Sequence, residues 1–380
     1  MPDIDVGRKV SEARAHLGLT QAELSARLGV ARSTLAEMEM GRRRITADEL
    51  YRLAELLRRP LQYFFSPLGV ATLFAFRTAK EELDEPAREA LVHLDNRLSE
   101  MRSLERFSGT IIRSRLHPYS VDKQANPTIA GRNVARMERV RLALGSSPVP
   151  NLRDTLEQRT GLLAFGYYVP ASGFSGAFGC DGERAALLIN VAHVRGRTNF
   201  TLAHEYAHSI IGQGDVHVEL RASPDSAEER FADSFAANFL MPLDVIEEAI
   251  EYAAIDPIRI SSDQVLMLAS QFGASFEAML GRLEHFGIVE RNLGRDLRKE
   301  TKPLARSRQL GLSDPRAEFP ALPMTYQQMA FLSFRNESIS LSRLAEFLDL
   351  EMDEAYARYV AWTATMAPPK TTEVPSGTNA

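Results

Sequence analysis

Five consecutive residues, His204, Glu205, Tyr206, Ala207 and His208, carry the densest chemistry in the chain. Four residues along a helix amount to about 400° of rotation, so both imidazoles leave one face one turn apart, at a separation that a single divalent metal ion can bridge. Glu205 lies beside them, close enough to take a proton from water at the metal without ligating it. Further on, Glu229 and Asp233 sit at i and i+4 on one face of a second helix. Packed against the first helix, they could offer one carboxylate to the metal and another to the outer N–H of a ligating imidazole. Two histidines and one carboxylate form an open, catalytic zinc set, and Mn2+ is tolerated by the same donors. Cys180 is the only cysteine, which excludes an internal disulfide and every multi-cysteine zinc cage and points to a cytoplasmic location.

Two helices must hold these groups. The flanks Phe200, Leu202, Ala203, Tyr206, Ala207, Ile210 and Ile211 predict an apolar, buried first helix ended by Gly212. An unpaired His-Glu-His cluster there would carry a heavy desolvation cost, which a ligand role removes. In the second helix, 228–242, Phe231, Phe235, Phe239 and Leu240 fill the apolar face. Short apolar runs at 162–169 and 185–191, bounded by Gly, predict strands, so the middle third reads as α+β between all-helical flanks. Tyr167, Tyr168 and His217 are candidates to stabilise an oxyanion, with a structural or solvent-facing role the commoner outcome for such residues.

At the N-terminus, Thr20 with Glu23 forms a capping box that opens the helix QAELSARL. Gly29 ends it, Val30 plugs the space between helices, and a second helix over 31–40 turns Leu35 and Met38 inward. Arg32, Ser33 and Thr34 then face outward at that helix's N-terminal end, where side chains reach base edges in the major groove. Gly41 stops the helix, Arg42, Arg43 and Arg44 lie where phosphates would pass, and Thr46 with Glu49 opens the next helix.

The stretch TQAELSARLGVARSTLAEMEMG closely resembles the XRE (Cro/cI-like) helix-turn-helix family, with mild departures at Ser25, Ala31 and Ala36. The resemblance implies that Gln21, Arg32, Ser33 and Thr34 contact a double-stranded DNA operator, and that the protein binds as a homodimer to two half-sites. A second resemblance covers about 140 residues, from 150 to 290. FTLAHEYAHSII, EERFADSFAANFLMP, the apolar ALLIN before them and VLMLASQFGASFEAMLGRLEHFGIV after them are similar to the ImmA/IrrE metallopeptidases, zincins whose third ligand is glutamate. This implies His204, His208 and Glu229 as zinc ligands, Glu205 as general base and Asp233 as the group orienting an imidazole. Glu228 is the alternative third ligand, less well spaced against the family pattern. The last of these segments resembles a helix-turn-helix tail, with Ser275 and Arg282 at familiar places.

The expected fold is multidomain and mainly α: an all-α helix-turn-helix domain, then an α+β zincin-like metallopeptidase domain, then a helical C-terminal region. Boundaries are expected at 1–66 for the DNA-binding domain, 67–147 for a helical linker region, 148–290 for the peptidase domain, 291–367 for the C-terminal region and 368–380 for a disordered tail. Leucines at helical spacing predict one long helix, or a broken pair, over 78–107, and a linker is expected around 118–131. Trp362 is expected to anchor a core, and His16, His93, His117, His193 and His285 to be surface or packing residues. The longest apolar run, 68–76, is far too short to span a bilayer, so no membrane partner is expected. The first 60 residues carry 11 Lys and Arg against 9 Asp and Glu, while the remainder carry 34 against 41, which directs any search for DNA contacts to the N-terminus. The expected function is a DNA-binding transcriptional regulator whose zinc-dependent endopeptidase cleaves a repressor or other regulatory protein in a stress or phage-type response. The competing class is a non-enzymatic regulator whose zincin-like domain senses a ligand or partner protein, in a toxin–antitoxin-like operon for example.

Overall fold

The computed structural model describes residues 6–65, 84–122, 124–149, 151–169, 174–181, 184–192, 195–211, 226–312 and 319–366. The apolar run at 68–76, Gly212, His193, His217 and the polar tail lie outside them. The chain divides into two compact units, Met1–Ser99 with Ile112–Pro323, and Glu100–Ile111 with Met324–Ala380.

The first unit begins with four short helices, α1 (Val6–His16), α2 (Gln21–Leu28), α3 (Arg32–Glu39) and α4 (Ala47–Leu56). Both capping boxes form: Thr20 caps α2 with Glu23 reaching back, and Thr46 does the same for α4 with Glu49. Gly29 ends α2 in the left-handed region at φ 78°, which favours a residue without Cβ. Val10, Leu24, Leu28, Leu35, Met38, Leu53 and Phe64 close a small core beneath the turn, with Val30 packed against its edge. Arg59, buried just past α4, bonds Asp95, Asn96 (2.7 Å) and the His16 ring (2.7 Å). Asp95 and Asn96 lie on α5 (Glu85–Ser108), so a buried ion pair ties the four helices to that long helix.

The linker expected around 118–131 starts and ends earlier than that, between the end of α5 at Ser108 and Pro127. Asn126 accepts hydrogen bonds from Thr128 and Ile129, and Pro127 opens α6 (Pro127–Arg141) at the first helical position, where its missing N–H costs nothing. After α7 (Leu152–Thr160) come β1 (Leu163–Tyr167), β2 (Gly176–Asp181) and β3 (Arg184–Asn190). The sheet order is β1-β3-β2, with β1 parallel and β2 antiparallel to β3. β1 and β3 match the expected strands. β2 was not expected, because Gly176 and Gly179 interrupt any alternating apolar pattern. Both glycines mark close approach: a Cβ on Gly179 would meet Leu94 and Leu98 of α5 at 3.1–3.2 Å.

α8 (Arg195–Ile211) lies across β2 and β3, and α9 (Ala227–Leu240) packs on α8 and α6. Leu202, Tyr206, Ile210, Phe231, Phe235 and Phe239 are fully or almost fully buried between them. Gly131 brings α6 so near α9 that a Cβ would fall 2.4 Å from the Phe231 carbonyl oxygen. Arg139 donates to the Phe239 carbonyl (2.8 Å), satisfying an acceptor near the end of α9. α10 (Leu243–Tyr252), α11 (Ser262–Gln271), α12 (Phe276–His285), α13 (Arg291–Glu300) and α14 (Pro303–Gln309) complete the helices of this unit. Ser275 caps α12, and buried Arg282 is a strut, bonding Asn238 and the Met241 carbonyl.

In the second unit, α15 (Met324–Arg335), α16 (Leu341–Leu348) and α17 (Met352–Met366) bury Leu344, Phe347 and Leu348. Trp362 is only half-buried, among Phe331, Tyr359 and Arg335, so it closes an aromatic cluster at the surface instead of anchoring a core. No described helix is long and apolar enough to cross a membrane.

Candidate metal centre and nucleic-acid interface

Helical spacing on α8 sets the two imidazoles over one another, with Nε2 of His204 3.1 Å from Nε2 of His208. The carboxylate of Glu229 faces both, Oε2 at 3.3 Å from His204 Nε2 and Oε1 at 3.7 Å from His208 Nε2. Among the described residues these three form the one group of histidine, cysteine and carboxylate side chains whose donor atoms all lie within 4.8 Å of one another. A tetrahedral ion with bonds of about 2.0–2.1 Å sets neighbouring donors about 3.3 Å apart, so the donor set fits a divalent metal ion. Glu229 reaches this place because Ser226 caps α9 by accepting from the Glu229 N–H (3.1 Å), which fixes the carboxylate in the first turn, where the helix dipole favours it. Glu228, one residue earlier, is exposed and stands outside the cluster.

Asp233, one turn along α9, places Oδ1 3.0 Å from His204 Nδ1. That contact holds a proton on Nδ1 and turns Nε2, the nitrogen left for a metal, toward Glu229 and His208. Burial pulls the His204 pKa down, but the Asp233 and Glu229 hydrogen bonds outweigh it and push the value up to about 10. Glu205 is buried at 7% exposure, with its side chain against β2: a Cβ on Gly176 would stand 2.9 Å from Glu205 Cγ. The unexpected strand therefore backs the carboxylate that lies between the two imidazoles in sequence.

A second buried cluster, out of reach of sequence reasoning, fixes α8 from behind. The Tyr206 hydroxyl donates to Glu138 on α6, which is fully buried and also accepts from Tyr119 (2.8 Å) and Arg141 (2.6 and 2.8 Å). Burial raises the Glu138 pKa, but the hydrogen bonds from Arg141, Tyr206 and Tyr119 hold it below the ordinary carboxylate value. Glu138 and Tyr206 stand 68 residues apart, so no local pattern announces the pair. Of the oxyanion candidates, Tyr167 stacks on the His93 ring (4.4 Å between centroids) and Tyr168 is exposed.

On the N-terminal helices, Arg32 and Ser33 are exposed and Thr34 half-buried at the start of α3, and Arg42 and Arg44 are exposed beyond it. Gln21 and Arg43 are held within the domain. Gln21 donates to Glu39 (2.9 Å), which is also paired with Arg14, and Arg43 donates to Glu49 (2.8 Å).

The family model described as "Helix-turn-helix" matches residues 10–64, and the one described as "IrrE N-terminal-like domain" matches residues 170–284. The "Uncharacterized transcriptional regulator in ATPase CF(0) region" of Rhodospirillum rubrum is 42% identical over 66 residues, which is 17% of this chain and 61% of that protein. The crystal structure of Bacillus thuringiensis PlcR in complex with the peptide PapR7 and DNA aligns over 96% of each chain at 11% identity, with a TM-score of 0.17.

Proposed function

Because the chain joins an XRE-type helix-turn-helix domain to an ImmA/IrrE-like, metallopeptidase-like domain, we propose that it is a DNA-bound transcriptional regulator that cleaves a regulatory protein, a repressor being the leading substrate class. The observation that carries the proposal is the convergence of His204 Nε2, His208 Nε2 and the Glu229 carboxylate beside buried Glu205.

In this reading His204, His208 and Glu229 hold a Zn2+ ion, with Mn2+ as the substitute the same donors accept. Bound there, the metal supplies Lewis acidity at neutral pH. Glu205 accepts a proton from the attacking water and passes it to the leaving amine. Asp233 keeps the His204 ring in the tautomer and orientation that ligation needs. β2 lies at the edge of the described sheet, pairing with β3 on one side, and keeps Glu205 in place through Gly176. At the other end of the chain, Arg32, Ser33 and Thr34 read base edges and Arg42 and Arg44 face the phosphates, while Gln21 and Arg43 join them by exchanging Glu39 and Glu49 for DNA, as a homodimer on two half-sites in the cytoplasm.

The test is to incubate the zinc-loaded protein with the repressors encoded beside its gene and look for a single cut. Glu205→Gln is expected to keep the metal and lose the cut. Cutting that persists in Glu205→Gln, or after chelation of the metal, contradicts the mechanism.

A further inference from the structure

Residues 291–309 carry seven Lys and Arg against two Asp and Glu, in a chain whose formal net charge is −5. The inner side of α13 is fixed. Leu297 is buried, Leu293 packs against the core, and Arg298 reaches Glu284 through two hydrogen bonds (2.7 and 2.9 Å) and Glu277 through a third (2.9 Å). Gly294 admits the Glu284 carboxylate, since a Cβ there would fall 1.8 Å from its Oε1. With that azimuth locked, Arg291, Arg295 and Lys299 recur at i, i+4 and i+8 on the exposed side, spaced about 6 Å along the helix, and exposed Lys302 follows.

These four cations are only partly neutralised. Lys302 has no ion-pair partner among the described residues, Arg291 makes no ion pair there although its charge acts on Glu284, Arg295 donates to Asn292 (2.9 Å), and Lys299 stands 4.0 Å from exposed Asp296. Exposed side chains of like charge in a row repel one another and gain little from packing. A row of anions offsets that repulsion. The anion row that fits is duplex DNA, because the same chain carries a helix-turn-helix domain. Long flexible cations at regular spacing, without aromatic or amide side chains among them, suit phosphates and not base edges.

We propose that Arg291, Arg295, Lys299 and Lys302 form a second DNA contact, which binds the phosphodiester backbone of a duplex without reading its sequence. The proposal is independent of the metal centre.

The experiment is fluorescence anisotropy of the full chain with a scrambled duplex of about 30 base pairs, titrated from about 50 to 200 mM salt. Each single Gln variant is expected to reduce the slope of log K against log salt by about 0.9, and the quadruple R291Q/R295Q/K299Q/K302Q by about 3–4. The charge-retaining R291K/R295K is expected to keep the parental slope. The single variants keep the effect readable if the quadruple chain folds poorly. A slope unchanged in the quadruple while R42Q/R44Q flattens it overturns the proposal, as does loss of binding to a polyglutamate peptide with the duplex slope intact.

Discussion

Asp233 holds His204 by its outer nitrogen, Oδ1 to Nδ1 at 3.0 Å, while the inner nitrogen of the same ring stands 3.1 Å from His208. One residue of α9 thus orients a ring of α8 for work done on the ring's other side. Asp233→Asn keeps an acceptor but removes the charge. Zinc affinity, measured against a competing chelator, is expected to fall about 10–100-fold with the melting temperature nearly unchanged, because Asp233 is 60% exposed. Equal affinities for variant and parent would deny the positioning role.

The pH dependence of metal uptake follows from the same contact. With the His204 pKa pushed up to about 10, the metal-free protein carries protons on both ring nitrogens at pH 7, and ligation through Nε2 removes the one there while Nδ1 keeps its own toward Asp233. Zinc loading at pH 7 is therefore expected to release about one proton from His204, and progressively less as pH approaches 10. Calorimetry in two buffers of different ionisation enthalpy reads this directly. Uptake without proton release contradicts it.

Gly176→Ala would set a methyl 2.9 Å from Glu205 Cγ and 3.1 Å from the Leu188 carbonyl oxygen, so the Glu205 side chain must move. His204, His208 and Glu229 sit on helices and are not displaced by it. Peptide cleavage is expected to drop at least tenfold while zinc stoichiometry holds. Loss of zinc in step with activity would show that β2 supports the ligands and not the base.

His93 offers a stability test that involves none of His204, His208 and Glu229. Burial and then the nearby Arg97 push its pKa down to about 3, so the folded protein keeps it neutral, stacked on Tyr167. Below about pH 6.5 the unfolded chain binds a proton that the folded one refuses, so stability is lost as pH falls from about 6.5 toward 3. One such group contributes a slope of about 1.4 kcal/mol per pH unit in that window. His93→Gln is expected to flatten the urea-midpoint profile there by part of this amount; a profile as steep as the parent's would assign the slope to other groups.

What could be read from the sequence was local. The 204–208 spacing, the i, i+4 pair Glu229 and Asp233, and the two capping boxes each depend on neighbours within one or two helical turns, and the structure has the corresponding geometry. Contacts between distant segments could not be read. β2 hid behind Gly176 and Gly179, whose purpose is visible only with Glu205 and α5 in place. Glu138 gave no sign of meeting Tyr206, nor Arg59 of meeting Asp95. Gln21 and Arg43 show a subtler limit, since their spacing fits DNA contact while Glu39 and Glu49 hold both side chains.

The most direct measurement is metal content per chain after zinc loading and dialysis, in the parent and in His204→Ala, His208→Ala and Glu229→Ala. About one zinc ion per parent chain is expected, with strong loss in each variant and the helix-turn-helix domain still folded by circular dichroism. A parent chain that takes up no zinc, or three variants that retain it as well as the parent, would contradict the shared ligand set and with it the proposed peptidase.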